Sequence, residues 1–506
     1  MNVFSGFGQY LRNHELPPAW LWVLLLILVV GNVVGLFAVG VHPDEAYYWV
    51  WSERLQAGYF DHPPMVAWVI RLCTELFGDH PWVIRLPAVL AWIAINFSVY
   101  AITRDAFPGH RLSAWLAVLV ATSLPLYQVG FHVVTPDAPY LLFTALAYWA
   151  LYLALTRDPR WWLAVGVFGG LSLLSKYIAV LFPLGLFLAL LVNRQGRQIL
   201  LTPWPYLAAT IAALLFSPVV YWNAQHEWVS FLFQLGHGIN VKQEASLSNV
   251  LLFLASQLAV AMPWTLIVMI YAAVRIRGFI SASPPVSQVL SFGFAVPIVF
   301  FSLTGFTMIS GAHWPAAAYI PGSALLGGVL GYWLNADNVA PEMRTAWRRH
   351  WPAMVIVLAC LLAIGFTNVA RYRVNTQLAN TFGWPELGAA VERVFEREQA
   401  NGACVIASQY WGLSAAIAFS LNRPHEVVVL PGGRISQYDL WREEDEPGSK
   451  SVPCVLVVLS DYSAKFPGEK TTGDNQRWRL DFVHEMISPV RTRWAGIYIR
   501  ADKKAD

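Results

Sequence analysis

AWLWVLLLILVVGNVVGLFAVGVHPDEAYYW, residues 19–49, joins a long apolar run to a polar segment that contains a proline and two acids. The run from Ala19 to Gly40 has no charged residue and is long enough to cross the roughly 30 Å hydrocarbon core of a bilayer. Similar runs recur over the first three quarters of the chain, which is 57% hydrophobic and 13% charged, whereas soluble domains carry about 25% charged residues. The composition therefore predicts a polytopic α-helical membrane protein rather than a soluble protein with an oversized core.

Counting such runs along the chain predicts about eleven membrane spans. The predicted spans are 19–40, 83–103, 112–131, 139–155, 161–175, 178–193, 204–222, 249–274, 288–307, 315–334 and 353–370. Residues 1–18 are expected to form a short inner leader, and the first span is expected to remain as an anchor because no small-residue cleavage site follows it. The fifth and sixth predicted spans are short. Fusing them into one span would reverse the side of every later loop, and we keep them separate.

Basic residues are distributed unequally between the two sides of the membrane. If the N-terminus is inside, every inner loop carries arginine, as the positive-inside rule requires. The inner arginines are Arg12, Arg104, Arg111, Arg157, Arg160, Arg194, Arg197, Arg275, Arg277, Arg344, Arg348 and Arg349. The outer segments between spans hold only Arg54, Arg71, Lys176 and Lys242, with Arg85 at the edge of a span. The bias predicts that the polar loops and the C-terminal region lie on the non-cytoplasmic side.

Beyond residue 370 the apolar runs give way to alternating helix and strand patterns. Helices are predicted over Pro385–Glu398 and Trp411–Leu421, and strands over Ala403–Ser408, Val427–Leu430, Val455–Leu459, 477–483 and 495–500. Such alternation predicts a small soluble α/β domain with a partly parallel sheet. We therefore expect a transmembrane catalytic domain over 1–370 and an α/β domain over 371–506, with interfacial helices in the first outer loop, 41–82.

The four cysteines, Cys73, Cys360, Cys404 and Cys454, match no zinc-binding or CxxC spacing. Cys404 and Cys454 each open a strand-like run. Free cysteine is among the most buried residue types, so the pattern favours two small buried hydrophobic residues over a disulfide between them. The sequence alone does not decide whether the two cysteines pair.

Three outer segments share one construction, in which a polar residue and a proline precede the acidic or aromatic residues that begin a helix. They are His42–Trp49, Asp61–Trp68 and Thr135–Tyr140. Because proline is favoured at the first helical position, Asp44, Glu45 and Asp137 are expected in first turns, where the helix dipole favours an ionised carboxylate. Each acid alone is more typical of ordinary capping. Two such sites on one face of a membrane protein favour a general base or a metal ligand instead.

Lys176 lies at the predicted outer end of a span, where a lysine either extends toward the interface or binds an anion. The outer histidines show no metal-binding spacing, and His62 and His313 are the better candidates because each adjoins the start of a proline-initiated helix. The sequence contains no Walker loop, dinucleotide fingerprint, nucleophile elbow or basic stripe for nucleic acid. Nothing in it requires a cofactor, although a divalent metal remains possible.

The outer motifs resemble those of the bacterial type C glycosyltransferases, including the lipid A aminoarabinose transferases and the protein O-mannosyltransferase-like group. The motifs are HPDEAYYWVWSERLQAGYFDHPPMVAWVIRL at 42–72, TPDAPYLLF at 135–143, LLSKYIAV at 173–180, HWPAAAY at 313–319, GWPEL at 383–387 and SQYDLW at 436–441. The resemblance implies many spans, interfacial helices in the first outer loop and a periplasmic C-terminal domain. It also implies transfer of a sugar from a polyprenyl-phosphate carrier, such as undecaprenyl phosphate, to an acceptor outside the cytoplasm.

The resemblance also implies roles for single residues. Asp44 matches the acid presumed to be the catalytic base, with Glu45 beside it, and Asp137 matches the acid of the second outer loop. Lys176 matches a basic position near the carrier phosphate, while Tyr59 and His62 fall between the two interfacial helices. With His313, these last three are the expected substrate-binding residues.

The leading hypothesis is therefore an inner-membrane glycosyltransferase that modifies lipid A, lipopolysaccharide or another periplasmic glycan. A protein O-glycosyltransferase is the alternative within the same class. A lipid or solute transporter is disfavoured because transporters usually place polar residues at the bilayer midplane in repeated halves. A non-catalytic assembly or sensor protein would tolerate loss of the outer carboxylates. The expected partners are a lipid-linked sugar donor, a lipid or glycan acceptor and membrane lipids, but no nucleic acid.

Overall fold

The structure is a computed structural model. It describes residues 19–107, 112–130, 132–238, 246–275, 284–334, 380–400, 402–444, 452–461, 463–488 and 491–501. Its contacts divide the chain into two units. The membrane unit consists of Met1–Gly35, Pro87–His132 and Pro136–Arg348, and the loop–tail unit consists of Leu36–Leu86, Val133–Thr135 and Arg349–Asp506. The first outer loop thus groups with the C-terminal tail, whereas the sequence assigned it to the domain 1–370.

All the regular secondary structure in the described part of the membrane unit is helical. Its α-helices are Leu86–Ala106, Ser113–Ser123, Pro125–Gly130, Asp137–Thr156, Trp161–Leu173, Leu181–Leu191, Arg194–Leu200, Trp204–Gln225, Val229–Gly238, Leu247–Ala261, Pro263–Arg275, Pro284–Thr304 and Tyr319–Leu334, together with most of Ala19–Ala38. Two 3₁₀ helices are added, Tyr177–Val180 and Ala316–Ala318. The predicted polytopic α-helical fold class is confirmed.

Within the described ranges, six helices are long and apolar enough to cross a membrane, or seven if one bent pair counts as a single span. The bent pair, Leu247–Ala261 and Pro263–Arg275, replaces the continuous span predicted at 249–274 and turns by 100°. Met262, at the bend, has a φ of 65°, and Pro263 cannot donate a backbone hydrogen bond to the preceding turn. Pro125 likewise interrupts the span predicted at 112–131.

The two short spans predicted at 161–175 and 178–193 are separate helices, Trp161–Leu173 and Leu181–Leu191. The chain between them contains Lys176 and the short 3₁₀ helix that starts at Tyr177. The eleventh predicted span, 353–370, lies outside the described residues.

Small residues allow helices of the membrane unit to approach each other closely. A Cβ atom added at Gly166 would meet the Ala208 carbonyl oxygen at 2.6 Å, and one at Gly170 would meet the Ala212 Cα at 3.0 Å. Both glycines lie on the helix Trp161–Leu173, and their partners lie on Trp204–Gln225. Backbone approach through small residues is the usual way in which membrane helices associate, because lipid provides no hydrophobic drive for it.

The tail portion of the loop–tail unit contains a six-stranded sheet. Its strands are Val405–Ser408 (β1), Val427–Val429 (β2), Pro453–Ser460 (β3), Glu469–Thr471 (β4), Arg477–Met486 (β5) and Arg493–Arg500 (β6). The strand order is β2-β1-β3-β6-β5-β4, with β1 parallel to β2 and β3 and the remaining pairs antiparallel. The core on the sheet includes Ala407, Leu430, Leu456, Trp478 and Tyr498. The predicted α/β tail with a partly parallel sheet is confirmed.

Six α-helices complete the described part of this unit: Pro43–Glu53, Met65–Phe77 and Pro81–Ile84 in the first outer loop, and Trp384–Gln399, Trp411–Leu421 and Gln437–Glu444 in the tail. The helices Pro43–Glu53 and Trp411–Leu421 pack through aromatic rings. The centroids of Trp49 and Phe419 are 5.0 Å apart, and those of Tyr47 and Trp411 are 4.6 Å apart. Aromatic pairs at these distances add to the stabilisation from burial, so the first outer loop is tightly attached to the tail.

Cys404 and Cys454 form a disulfide, with their Cα atoms 5.6 Å apart. The preference for two free, buried cysteines was therefore wrong. The parallel pairing of β1 with β3 brings the starts of both strands together, and each cysteine directly precedes or opens its strand. The sequence placed the cysteines at strand starts but could not show that these two strands are neighbours.

Candidate active site

Asp44 lies in the first turn of the helix Pro43–Glu53, as the sequence predicts. His42 caps this helix: its Nδ1 accepts a hydrogen bond from the Asp44 amide at 3.2 Å, and its own amide donates to Glu45 Oε2 at 2.9 Å. The Asp44 side chain is 40% exposed, with Oδ2 3.6 Å from His42 Nδ1. These two hydrogen bonds fix the backbone from His42 to Glu45 and leave the Asp44 carboxylate exposed.

Glu45 is enclosed, although it is the neighbour of Asp44. Neither its side chain nor that of Arg85 is exposed, and Arg85 binds it with two hydrogen bonds, Nε to Oε1 at 2.8 Å and Nη2 to Oε2 at 2.7 Å. The Val134 amide donates to Oε1 at 2.8 Å. Arg85 also donates to three backbone carbonyls at 2.7–3.0 Å, those of Leu36, Val39 and Gly40. This geometry joins three segments of the loop–tail unit and leaves a substrate no access to Glu45.

Tyr59 is fully buried within the first outer loop. Its ring stacks on Trp51 at 4.3 Å, and its hydroxyl donates to the Trp51 carbonyl at 3.0 Å and accepts from the Gln56 amide at 3.0 Å. Burial raises the pKa of the Tyr59 hydroxyl above its usual value. His62 is half-buried, and its carbonyl accepts from the Tyr59 amide at 3.2 Å. Tyr59 therefore supports the loop, and His62 is the more accessible of the two.

Asp61 lies in the proline-containing segment Asp61–Trp68, and the sequence predicts no role for it. Its Oδ2 accepts a hydrogen bond from the Tyr47 hydroxyl at 3.0 Å, and its Oδ1 forms an ion pair with Arg434. Burial raises the pKa of the Asp61 carboxyl, the Arg434 charge and the Tyr47 hydrogen bond lower it, and the charge of Asp44 raises it. The charge of Asp44 therefore reaches the buried carboxyl of Asp61 in the same loop.

Asp137 and Lys176 form an ion pair within the membrane unit. Asp137 begins the helix Asp137–Thr156, as predicted, and Lys176 precedes the short 3₁₀ helix Tyr177–Val180. The Lys176 ammonium lies 2.8 Å from each carboxylate oxygen of Asp137. The side chains are 9% exposed for Lys176 and 17% for Asp137. The pair is largely but not completely withdrawn from solvent.

His313 is exposed in the membrane unit, and its carbonyl accepts from the Ala316 amide at 3.0 Å at the start of a short 3₁₀ helix. The predicted site residues therefore divide between the units. Asp44, Glu45, Tyr59 and His62 belong to the loop–tail unit, and Asp137, Lys176 and His313 belong to the membrane unit. In the part of the chain that the structure describes, no group of three or more His, Cys, Asp or Glu residues could hold a metal ion.

Sequence reasoning missed two basic residues that organise the first outer loop, Arg85 and Arg434. A signal existed for Arg85, because an arginine at the edge of an apolar run usually has a specific partner. Arg434 lies in a tail loop, in the sequence PGGRIS, where no pattern indicates a role.

Comparison with known proteins supplies the context for these residues. Residues 61–222 match the family described as dolichyl-phosphate-mannose-protein mannosyltransferase. The chain is 32% identical to lipid A galacturonosyltransferase RgtD of Rhizobium johnstonii, over 56% of this chain and 59% of that protein. It is 26% identical to the lipopolysaccharide core galacturonosyltransferase RgtA of the same organism, over 77% of each chain. A third relative, undecaprenyl phosphate-alpha-4-amino-4-deoxy-L-arabinose arabinosyl transferase of Pseudomonas paraeruginosa, is 27% identical over 56% of this chain and 55% of its own length. The matches to the first and third relatives thus span less than two thirds of those proteins.

The fold also matches a solved structure over nearly its full length. ArnT from Cupriavidus metallidurans in the apo state superimposes with a TM-score of 0.63 at 18% identity, covering 94% of this chain and 97% of that one. The same protein bound to undecaprenyl phosphate gives a TM-score of 0.64 at 17% identity, covering 95% and 98%. At this level of identity the likeness concerns the fold. The resemblance predicted from the sequence is thereby confirmed: the chain is similar to bacterial lipid A glycosyltransferases over part of their length, and it has the fold of ArnT.

Proposed function

We propose that this protein is a glycosyltransferase of the bacterial inner membrane that moves a sugar from a polyprenyl-phosphate carrier to lipid A, lipopolysaccharide or another periplasmic glycan. The names of its relatives support the sugar transfer, and the likeness to ArnT supports a lipid-phosphate carrier. The observation that carries the proposal is Asp44, an exposed carboxylate on a helix whose cap and neighbouring acid are held rigidly.

Asp44 is proposed to act as the general base. When the acceptor is a hydroxyl, its oxygen attacks the anomeric carbon of the sugar, and the bond from that carbon to the phosphate oxygen of the carrier breaks. The hydroxyl proton passes to Asp44, and the carrier leaves as polyprenyl phosphate. A positioned base typically accelerates such a step by about 10²–10⁴-fold. If the acceptor is an ionised phosphate, Asp44 acts by orientation and electrostatics instead.

Lys176 is proposed to bind the phosphate of the carrier and to stabilise the charge that develops on it as the sugar leaves. Its ammonium has three donors, so it can contact a phosphate oxygen while it remains close to Asp137. Asp137 is proposed to orient Lys176. We propose that the half-buried His62 and the exposed His313 contact substrate. The buried Tyr59 and Glu45 are proposed to support the loop instead.

The active face and the tail are proposed to lie in the periplasm. The concentration of arginine in the predicted inner loops supports this orientation. The disulfide between Cys404 and Cys454 supports it independently, because disulfides form and persist in the oxidising periplasm and are rare in the cytosol.

Protein is the second candidate acceptor, because the matching family is described by a protein mannosyltransferase activity. Membranes that contain the protein, and matched membranes that lack it, would be incubated with radiolabelled undecaprenyl phosphate carrying galacturonic acid, aminoarabinose or a neutral hexose. The proposal expects one of these sugars to enter the lipid A fraction only where the protein is present. Label in a protease-sensitive fraction instead would establish the second candidate. Uptake of sugar into sealed vesicles without any glycosidic product would contradict both.

A further inference from the structure

Arg434 comes from the tail, yet it pairs with a carboxylate of the first outer loop within the loop–tail unit. It follows the turn after strand β2, and its Nη2 forms an ion pair with Asp61 Oδ1. The Asp61 side chain is 8% exposed, whereas that of Arg434 is 44% exposed. The arginine thus lies between a buried acid and the solvent, and its guanidinium rests 5.7 Å above the ring of Trp411.

The second oxygen of Asp61 belongs to a hydrogen-bonded chain between the loop and the tail. Tyr47 donates to Asp61 at 3.0 Å, and the Tyr47 hydroxyl accepts from the Gln437 amide at 2.7 Å. The Gln437 side chain closes the chain by accepting from the Phe60 amide at 2.8 Å. Tyr47 lies one turn after Asp44 on the same helix, so this hydrogen bond connects Asp61 to the helix that presents Asp44.

The charges of this region are coupled to Asp44. The charge of Asp44 raises the pKa of the buried Asp61 carboxyl, and Arg434 lowers it. The pKa of Tyr410 is raised to about 12, chiefly by burial, and the charge of Asp44 adds to the rise while Arg434 opposes it. Arg434 therefore opposes the effect of Asp44 on both Asp61 and Tyr410. Two neighbouring carboxylates without such a cation disfavour each other's ionisation.

We infer that Arg434 is a positioning residue for the proposed transfer: by pairing with Asp61, which binds Tyr47, it holds the helix that presents Asp44 in place. Arg434 is assigned to act through Asp61 rather than on a substrate. The inference rests on the proposed function, because it takes Asp44 as the base. Among the residues that the structure describes, Asp44 interacts electrostatically with His42, Asp61 and Tyr410, and Asp61 interacts with Tyr47, Asp44 and Arg434.

The test compares Arg434→Gln, Asp61→Asn and the double variant as full-length protein in lipid nanodiscs, with the carrier-linked sugar that the wild type transfers. Arg434→Gln should lower kcat about tenfold or more with little change in KM, since transition-state rather than substrate binding is lost. The double variant removes both charges, and it should recover kcat to within about threefold of the wild type.

Glu444→Gln is the matched control, because Glu444 also joins the tail to the first outer loop, but through Arg54 and Gln56. It should leave kcat unchanged. Normal kcat in Arg434→Gln would overturn the inference, as would an equal loss in Glu444→Gln. If the double variant had a kcat no higher than that of Arg434→Gln, and a raised KM, Arg434 would be a substrate-binding residue. That result would overturn the inference as well. A wild-type protein without transfer activity would instead overturn the proposed function itself.

Discussion

The two units each contain a carboxylate–cation pair at the start of a helix, and the two pairs differ in their access to water. In the loop–tail unit, Glu45 and Arg85 have no exposed side-chain surface, and further backbone groups complete their hydrogen bonds. In the membrane unit, Asp137 and Lys176 remain 17% and 9% exposed and hold each other through one ammonium group. The same chemical pairing thus occurs in a closed and in an accessible form.

The difference separates a structural role from a substrate-binding role. Breaking a fully buried pair leaves an uncompensated charge, which is strongly destabilising, so such a pair cannot exchange its partner for a ligand. An accessible pair can exchange part of its contact with an incoming anion. We therefore propose that the closed pair supports the scaffold of the loop and that the accessible pair binds the carrier phosphate.

The largest effect on stability is expected at the closed pair. Arg85→Met leaves Glu45 buried and unpaired and removes the donor for three carbonyls, so the free energy of unfolding should fall by about 3–5 kcal/mol. The melting temperature of the detergent-solubilised protein would measure this loss. Arg71→Met is the matched control, because its partner Glu53 belongs to a more exposed pair, and it should cost less than about 1 kcal/mol. Equal melting temperatures for both variants would show that the closed pair is not the scaffold we describe.

An intermediate effect is expected from the tail disulfide. Cys404→Ala together with Cys454→Ala opens a cross-link between residues 50 positions apart and should destabilise the loop–tail unit by about 2–4 kcal/mol. Thermal unfolding followed by tryptophan fluorescence, with and without reductant, would detect it. The wild type should lose stability in reductant and the double variant should not. The chain has four cysteines, so the unfolded wild type without reductant should show two thiols that react with a maleimide, those of Cys73 and Cys360. A wild type insensitive to reductant, with four such thiols, would contradict the disulfide.

A smaller effect is expected at the accessible pair, where binding and stability can be separated. Lys176→Met should weaken the binding of undecaprenyl phosphate about tenfold or more, because a charge-assisted contact is worth about 1.5–3 kcal/mol. It should also lower the melting temperature by leaving Asp137 unpaired. Adding Asp137→Asn should restore the melting temperature but not the affinity. Recovery of both would reduce Lys176 to a structural partner, and unchanged affinity in the single variant would exclude it as a phosphate ligand.

Local patterns predicted the features that depend on neighbouring residues. The proline and the acids of the first outer loop placed the helix start at Pro43, with Asp44 in its first turn, because capping is decided within a few residues. The same logic placed Asp137 at a helix start. Apolar runs predicted the membrane fold, but the bend at Met262 was missed because Pro263 was read as part of one continuous span.

Contacts between distant segments could not be predicted in the same way. Glu45 and Asp44 are equivalent in a sequence pattern, and only the contact with Arg85, 40 positions away, makes one of them structural. Arg434 meets Asp61 across 373 positions, and no local pattern indicates such a pair. The disulfide was missed for the same reason, since it depends on which two strands are neighbours.

The most direct measurement compares purified Asp44→Asn with the wild type in turnover and in melting temperature. Asparagine caps helices about as well as aspartate, so the free energy of unfolding should change by well under about 1 kcal/mol. Loss of the base should lower the rate of sugar transfer by about 10²–10⁴-fold while carrier binding persists. Glu75→Gln, which neutralises an exposed acid of the same unit, should leave both quantities unchanged. A folded Asp44→Asn protein that keeps more than about a third of the wild-type rate would contradict the assignment of Asp44 as the base.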